Sequence, residues 1–245
     1  RPSFASCRSV SARHSPLAKG TILYVHGLWM TGAEAFMLRR RMQVRGWRLR
    51  VFPYSSLAET MDRVASRCAR MAQELAQRTA QPVHLVGHSL GGLVIYRMFE
   101  TGLLPPETFC RDFCRVVFVG TPARGSAAAR ALAQHRLARP LLGHVGERDL
   151  LRGVPPRWTF APQLGVIAGS GGHGLGMLVA RLSRPHDGTV SVEETYIEGA
   201  TDRCVLPVSH VSMCLSALVA DQVDHFLEHG RFGSSAAAAM AGAGN

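Results

Sequence analysis

Short apolar runs alternate along this chain with longer stretches whose apolar residues have helical spacing. The first run, TILYV at 21–25, shows no alternation of polar and apolar residues, as expected for a strand that is buried on both faces of a sheet. Strands and helices that alternate in this way form right-handed βαβ units and a parallel sheet covered on both faces. The sequence therefore predicts a single α/β domain at 20–230, with a mostly parallel sheet of about six strands flanked by helices. The predicted strands are 21–25, 48–52, 83–87, 115–120, 164–169 and 195–199.

Capping signals and periodicity predict two of the helices. Ser56 and Glu59 have the spacing of a capping box, and apolar residues then recur at helical intervals from Leu57 to Leu75. The same periodicity at 211–228 predicts the last helix of the domain.

Three segments depart from the alternation of strands and helices. Residues 121–163 are rich in Arg, Ala and Pro and hold about one helix, at 126–138, which indicates a short lid-like insertion. Residues 1–19 contain no clear strand and predict an irregular N-terminal segment. Residues 231–245 are low in complexity, which predicts a disordered tail.

The positive charge of the chain bears on its partners. Its formal net charge is +11, and Lys19 is the only lysine among 28 basic residues. Such a charge can indicate nucleic-acid binding. The arginines are spread along the chain, however, and only Arg39, Arg40 and Arg41 form a run of three, so no nucleic-acid partner is expected. A weak association with anionic membranes stays open.

The cysteines and the hydropathy pattern bear on redox state and compartment. The six cysteines show neither a CxxC pair nor paired zinc spacing, which favours reduced, buried thiols and predicts no metal site and no cofactor. No apolar run approaches the roughly 18 residues that a membrane helix needs, and no signal-peptide pattern is visible, so a cytoplasmic location is expected. A disulfide stays open if the protein is exported.

The sequence VGHSLGGL at 86–93 places one serine among three glycines, between a predicted strand and a predicted helix. In this strand–turn–helix context, the pattern G-x-S-x-G forms a nucleophile elbow, which holds the serine in a strained conformation above the carboxyl edge of the sheet. Gly87 and Gly91 would leave room there for neighbouring backbone. Ser89 is therefore the candidate nucleophile, and its neighbour His88 is interpreted as packing.

A serine hydroxyl becomes a nucleophile when a base removes its proton, and a histidine oriented by a carboxylate is the usual base. His210 lies between the last predicted strand and the last predicted helix, where a loop leaves the carboxyl edge, and is the predicted base. Asp187, in the turn HDGTV, is the predicted acid. Asp202 is its main competitor, and Glu193 and Glu194 are interpreted as solvated.

Attack by the serine would create an oxyanion, which needs two aligned N–H donors. The N–H of Leu90, at the start of the helix, is one predicted donor, and that of Leu28, in the loop HGLW after the first strand, is the other. Trp29 and Trp158 are candidates for an apolar substrate pocket. Both tryptophans could equally belong to the core, and that alternative stays open.

Five motifs, in this order and spacing, resemble the α/β-hydrolase superfamily: HGLW, GHSLGG, GTPARGS at 120–126, DGTV and SH. More narrowly they resemble its bacterial lipase/esterase branch, which shares a G-T-P-x-x-G-S segment with inositol-deacylase-like enzymes. The resemblance covers about 20–230. It implies a Ser-His-Asp triad of Ser89, His210 and Asp187, with Leu28 and Leu90 as oxyanion donors. The first two strands of the family have no counterpart in 1–19.

The resemblance implies a serine hydrolase that cleaves carboxylic esters through an acyl-enzyme, with a lipophilic acyl ester as the expected substrate. A thioesterase or an acyltransferase would use the same triad, so both stay open. A non-catalytic binding protein on this fold is a third interpretation. The expected partner is a small-molecule ester or lipid, and the oligomeric state is left open.

Overall fold

The computed structural model describes residues 18–79, 81, 83–104, 115–146, 148–155, 157–174 and 176–234. Of the irregular N-terminal segment expected at 1–19 only 18 and 19 are described, and of the tail expected at 231–245 only 231–234, where Phe232 is buried against Phe226. Among the helices that are described, none combines the length and apolar character needed to cross a membrane.

The described residues form the expected α/β architecture around a six-stranded, all-parallel sheet. Numbered along the chain, the strands run in the order β2-β1-β3-β4-β5-β6 across the sheet, so the chain starts next to one edge, forms that edge with its second strand and then crosses to the other edge. The strands are β1 (Gly20–Val25), β2 (Trp47–Phe52), β3 (Val83–His88), β4 (Arg115–Val119), β5 (Gln163–Gly169) and β6 (Asp202–Leu206).

Five of the six predicted strands are confirmed, but the predicted strand at 195–199 is wrong. Glu193–Thr195 form a 3-10 turn, and Glu198 pairs with Arg157 only through an isolated bridge. The sixth strand is Asp202–Leu206, whose polar first residues resemble a loop in the sequence. They are polar because they lie partly exposed at the amino end of the strand, whereas Cys204 and Leu206 are buried.

Helices cover both faces of the sheet, and the alternation of side chains along β1 divides the core accordingly. Leu23 packs with the face covered by the helices at 61–79 and 90–100, whereas Ile22 packs with the face covered by the helices at 36–44 and 217–229. The helices are α1 (Phe36–Val44), α2 (Met61–Thr79), α3 (Leu90–Glu100), α4 (Ala127–Gln134), α5 (Gly143–Gly146), α6 (Asp149–Arg152), α7 (Gly176–Val179) and α8 (Ala217–His229).

The predicted capping box at Ser56 and Glu59 is wrong, because α2 begins only at Met61. Glu59 instead accepts a hydrogen bond from the backbone N–H of Ser55 (3.0 Å) in the turn before the helix. Ser56 is 5% exposed, and its hydroxyl oxygen accepts from the N–H of Trp29 (3.1 Å), a residue of the loop after β1.

The segment expected to be lid-like, 121–163, contains α4, α5 and α6. Leu142, Val145 and Leu150 lie in the same core cluster as the elbow helix α3, so part of the segment belongs to the body of the domain. Its lid-like character stays a prediction. The cysteines within the described ranges, Cys68, Cys204 and Cys214, are free and buried.

Candidate active site

Ser89 lies at the turn between β3 and α3, at the carboxyl edge of the sheet. Its backbone angles are φ 53° and ψ −121°, a conformation that costs a non-glycine residue about 1–3 kcal/mol. Its N–H donates to the carbonyl of Val119 (2.9 Å), which fastens the strained turn to β4. Among the described residues, Ser89 and Trp29 are the two that combine a side chain with a positive φ.

Two glycines of this turn are required by the close approach of other backbone atoms. A Cβ at Gly91 would overlap the carbonyl of Val25 on β1. A Cβ at Gly87 would lie 2.5 Å from the amide nitrogen of Gly92. The glycines therefore permit the sharp strand-to-helix turn that the sequence predicts for a nucleophile elbow.

Asp187 and His210 form a buried pair. The Nδ1 of His210 lies 2.7 Å from Oδ2 of Asp187, and the backbone N–H of His210 donates to the Asp187 carbonyl (2.9 Å). The second oxygen, Oδ1, accepts from the N–H groups of Thr189 (2.8 Å) and Val190 (2.7 Å). Because a carboxylate only accepts, the pair assigns the hydrogen to Nδ1 and leaves Nε2 of His210 free to take up a proton.

The imidazole of His210 lies at the same end of the sheet as Ser89. A Cβ at Gly120 would lie 3.2 Å from Nδ1 of His210, and Gly120 directly follows Val119, which accepts from the N–H of Ser89. The Ser89 hydroxyl itself has no hydrogen-bond partner among the described residues. Catalytic hydrogen bonds are often long in unliganded enzymes and tighten when substrate binds.

His88 connects the elbow to the loop that carries His210, a contact that sequence reasoning missed. Its Nε2 lies 3.0 Å from the His210 carbonyl, and the two rings are 4.9 Å apart. Complete burial lowers the pKa of His88, so the ring is neutral and Nε2–H donates to the carbonyl. The sequence holds no signal for this contact beyond the position of His88 next to the serine.

The loop after β1 passes directly beside Ser89. A Cβ at Gly27 would lie 3.1 Å from Cβ of Ser89, and Leu28 follows at once. The carbonyl of Gly27, which shares a peptide unit with the Leu28 N–H, lies 2.9 Å from Nδ1 of His26. Within the described part of the chain, neither the Leu28 N–H nor the Leu90 N–H is used in a hydrogen bond.

A match to a family model shows which protein family the chain belongs to. The model of the α/β hydrolase family matches residues 22–240. This chain belongs to the α/β hydrolase family. No curated protein matches the sequence at a significant level.

Solved structures share the fold of this α/β hydrolase at low sequence identity. The mature lipase BlEst2 of Bacillus licheniformis is 19% identical, with a TM-score of 0.66 over 88% of this chain and 94% of that one. Staphylococcus hyicus lipase is 14% identical, with a TM-score of 0.58 over 88% and 95%. A prodiginine-pathway thioesterase of Streptomyces coelicolor is 14% identical, with a TM-score of 0.52 over 91% and 98%. At these identities the likeness shows the fold.

The two tryptophans singled out in the sequence occupy different environments in the α/β hydrolase. Trp29 is 50% exposed, and its indole N–H donates to the Leu141 carbonyl (2.6 Å) of the segment 121–163. Trp158 is buried in the core, where its ring contacts Phe99 and Phe118. The alternative of core packing therefore describes Trp158, and only Trp29 is available at the surface.

The interpretation of Glu194 as a solvated residue is wrong, because it is 8% exposed. One carboxylate oxygen accepts from the N–H of Ala127 (2.5 Å) at the start of α4, and the other accepts from the N–H of Ser191 (2.8 Å). Ser191 accepts in turn from the Glu194 N–H (3.2 Å), so the two residues form a capping box. The spacing S-x-x-E was a signal for this role. Glu193 is exposed, as expected.

Asp202, the competing acid, lies far from the candidate site. It begins β6, whereas His210 follows the opposite end of that strand, and the strand length separates the two ends by roughly 13 Å. The Asp202 carboxylate accepts from the N–H of Phe232 (2.7 Å) instead. Within the described ranges, no cluster of three or more His, Cys, Asp or Glu side chains is arranged to hold a metal ion.

Proposed function

We propose that this α/β hydrolase is a serine ester hydrolase with Ser89 as nucleophile, His210 as base and Asp187 as acid. The observation that carries the proposal is the buried Asp187–His210 pair, which lies at the same sheet edge as a serine held at positive φ. The lipases among the similar structures support an ester hydrolase over other reactions of this fold.

The reaction follows from the arrangement of these groups. Nε2 of His210 removes the hydroxyl proton as the oxygen of Ser89 attacks the ester carbonyl, and Asp187 stabilises the imidazolium that forms. The N–H groups of Leu28 and Leu90 donate to the oxyanion. The tetrahedral intermediate collapses to an acyl-enzyme as His210 returns the proton to the leaving alcohol. Water, deprotonated by His210, then releases the acid and restores the serine.

A lipophilic acyl ester is the proposed substrate. Trp29, Leu57 and Leu141 are each about half exposed, and Leu137 is 96% exposed. A surface cavity of about 300 Å³ lies beside Leu57 and is also lined by Arg136, Arg139, Pro140, Gly143 and His144. This combination of apolar and basic side chains suits a lipid-like ester, and it supports the weak association with anionic membranes that the net charge suggests.

A thioesterase is the second candidate, because a thioesterase of the same fold is among the similar structures. A thioester would be attacked by the same serine, and only the leaving group would differ. Transfer to an alcohol, binding without catalysis and the cytoplasmic location stay predictions.

The test is hydrolysis of p-nitrophenyl esters of increasing chain length, beside a matched thioester, by wild type, Ser89→Ala and Ser55→Ala. We expect wild type and Ser55→Ala to prefer medium or long acyl esters and to react with a fluorophosphonate probe. Ser89→Ala should do neither. Equal turnover by Ser89→Ala would refute the proposal, and a strong preference for the thioester would favour the second candidate.

A further inference from the structure

The loop after β1 contains a strained residue that little packing holds in place. Trp29 has a φ of 60° although it carries a large side chain, and half of its surface is exposed. A residue keeps such a conformation only when its surroundings fix it. Two hydrogen bonds do so here: the backbone N–H of Trp29 donates to Ser56, and its indole N–H donates to Leu141.

The loop after β2 forms a support for the loop after β1. Tyr54 and Ser56 point inward and are buried, whereas Ser55 and Leu57 point outward. The Tyr54 hydroxyl donates to the carbonyl of His26 (2.8 Å), and Ser56 accepts from Trp29 (3.1 Å). These two bonds hold the loop on either side of Gly27 and Leu28.

Ser56 is itself fixed by the segment behind it. A Cβ at Gly143 would overlap the Ser56 carbonyl, so the two backbones are in close contact. The N–H of His144 donates to the carbonyl of Leu57 (3.3 Å). These contacts fix the backbone of Ser56. Its hydroxyl oxygen can therefore hold the N–H of Trp29 in one orientation.

We propose that Ser56 is a positioning residue for the oxyanion site, which it serves by fixing the peptide between Leu28 and Trp29. The inference rests on the proposed function, in which the Leu28 N–H binds the oxyanion. Without the Ser56 oxygen, the Trp29 N–H has no acceptor and the strained turn relaxes to a negative φ. The backbone of the loop is then anchored on this side only through the His26 carbonyl, so the Gly27–Leu28 peptide can rotate and carry the Leu28 N–H away from the oxyanion.

The decisive variants are Ser56→Ala and Ser55→Ala, which remove neighbouring hydroxyls of opposite orientation. Loss of a complete oxyanion donor lowers kcat by about 10²–10³-fold, so misalignment of one donor by Ser56→Ala should lower kcat by about 10–100-fold. KM should change by less than about threefold, because the bond acts on the transition state. Ser55→Ala should resemble wild type, and Ser56→Thr, which keeps the hydroxyl, should recover most of the rate.

A trifluoromethyl ketone distinguishes this role from a purely structural one, because its adduct with Ser89 carries an oxyanion. Its affinity for Ser56→Ala should fall by about the same factor as kcat, while the corresponding alcohol, which forms no oxyanion, binds equally. Rates are expressed per active site, as titrated with the fluorophosphonate probe, so that misfolded protein does not count.

Three outcomes would overturn the inference: unchanged kcat and ketone affinity in Ser56→Ala, a rise in KM alone, or a loss that disappears when rates are expressed per active site. Failure of the proposed function would look different. In that case Ser89→Ala would retain esterase activity, whatever Ser56→Ala does.

Discussion

The serine turn at 87–91 and the turn at 186–195 that carries Asp187 reach the same edge of the sheet, but different forces hold them. The serine turn is fixed by steric contact, since Gly91 packs against the backbone of β1. The turn of Asp187 is fixed by hydrogen bonds. The Asp187 carboxylate accepts from two backbone N–H groups, and the Glu194 carboxylate accepts from the N–H groups of Ser191 in the turn and Ala127 in α4.

This difference predicts two responses to mutation. A steric contact between backbones leaves no room for one additional carbon, so a small change should be severe. A network of hydrogen bonds can lose one member and retain the rest, so its losses should be graded. The following variants test that contrast, from the largest expected effect to the smallest.

Gly91→Ala should abolish folding, because the new Cβ overlaps the Val25 carbonyl and neither backbone can move without disturbing the sheet. Gly233→Ala is the matched control, since its Cβ would meet only ordinary contacts, the nearest at 3.5 Å. Soluble yield and thermal unfolding by circular dichroism measure the effect. If Gly91→Ala unfolded at the same temperature as Gly233→Ala, steric contact would not be what fixes this turn.

Asp187→Asn should lower kcat by a factor on the order of 10⁴, because an amide can impose the wrong tautomer on His210. Asp202→Asn should leave kcat near that of wild type, since its carboxylate accepts from Phe232 at the far end of β6. Steady-state kinetics with a p-nitrophenyl ester measure both. A large loss in Asp202→Asn with activity retained in Asp187→Asn would show that the acid is misassigned.

The same contrast explains what the sequence could predict. Steric requirements are local, so GHSLGG predicted the serine turn within its own length, and short apolar runs predicted five strands. The support given by Glu194 joins 191–194 to Ala127, more than sixty positions away, and no local pattern encodes that partner. The strand at 202–206 was missed because its polar start reflects its place at the exposed end of the sheet.

Acidification should destabilise the fold around β3 and the loop after β1, where three histidines are buried. Burial lowers the pKa of His84 from 6.5 to about 4, and burial likewise lowers the pKa values of His26 and His88. Because the unfolded chain binds these protons first, stability is full above pH 6.5 and falls as the pH drops toward 4. For His84 alone, the free energy of unfolding should fall by about 2–3 kcal/mol between pH 7 and 4.5.

Urea unfolding of His84→Phe and wild type at the two pH values measures how much of the acid-induced loss of stability comes from this residue. Phenylalanine keeps a ring against Trp47, which His84 contacts edge to face at 5.1 Å, but it does not titrate. The acid-induced loss should therefore be smaller in His84→Phe than in wild type by about 2–3 kcal/mol. An equal loss in both proteins would mean that His84 is protonated as readily in the folded chain as in the unfolded one.

Glu194→Gln should cost the least, about 1–2 kcal/mol of unfolding free energy. The carboxylate accepts from Ala127 and Ser191 with separate oxygens, whereas an amide offers one oxygen and would turn its NH₂ group toward the other donor. Because Asp187 keeps its own backbone donors, activity per active site should fall by less than about tenfold. Glu193→Gln, one position away and exposed, should change neither quantity. If Glu194→Gln instead prevented folding as Gly91→Ala should, the turn of Asp187 would be as intolerant as the serine turn, and the two regions would not differ in the way their contacts indicate.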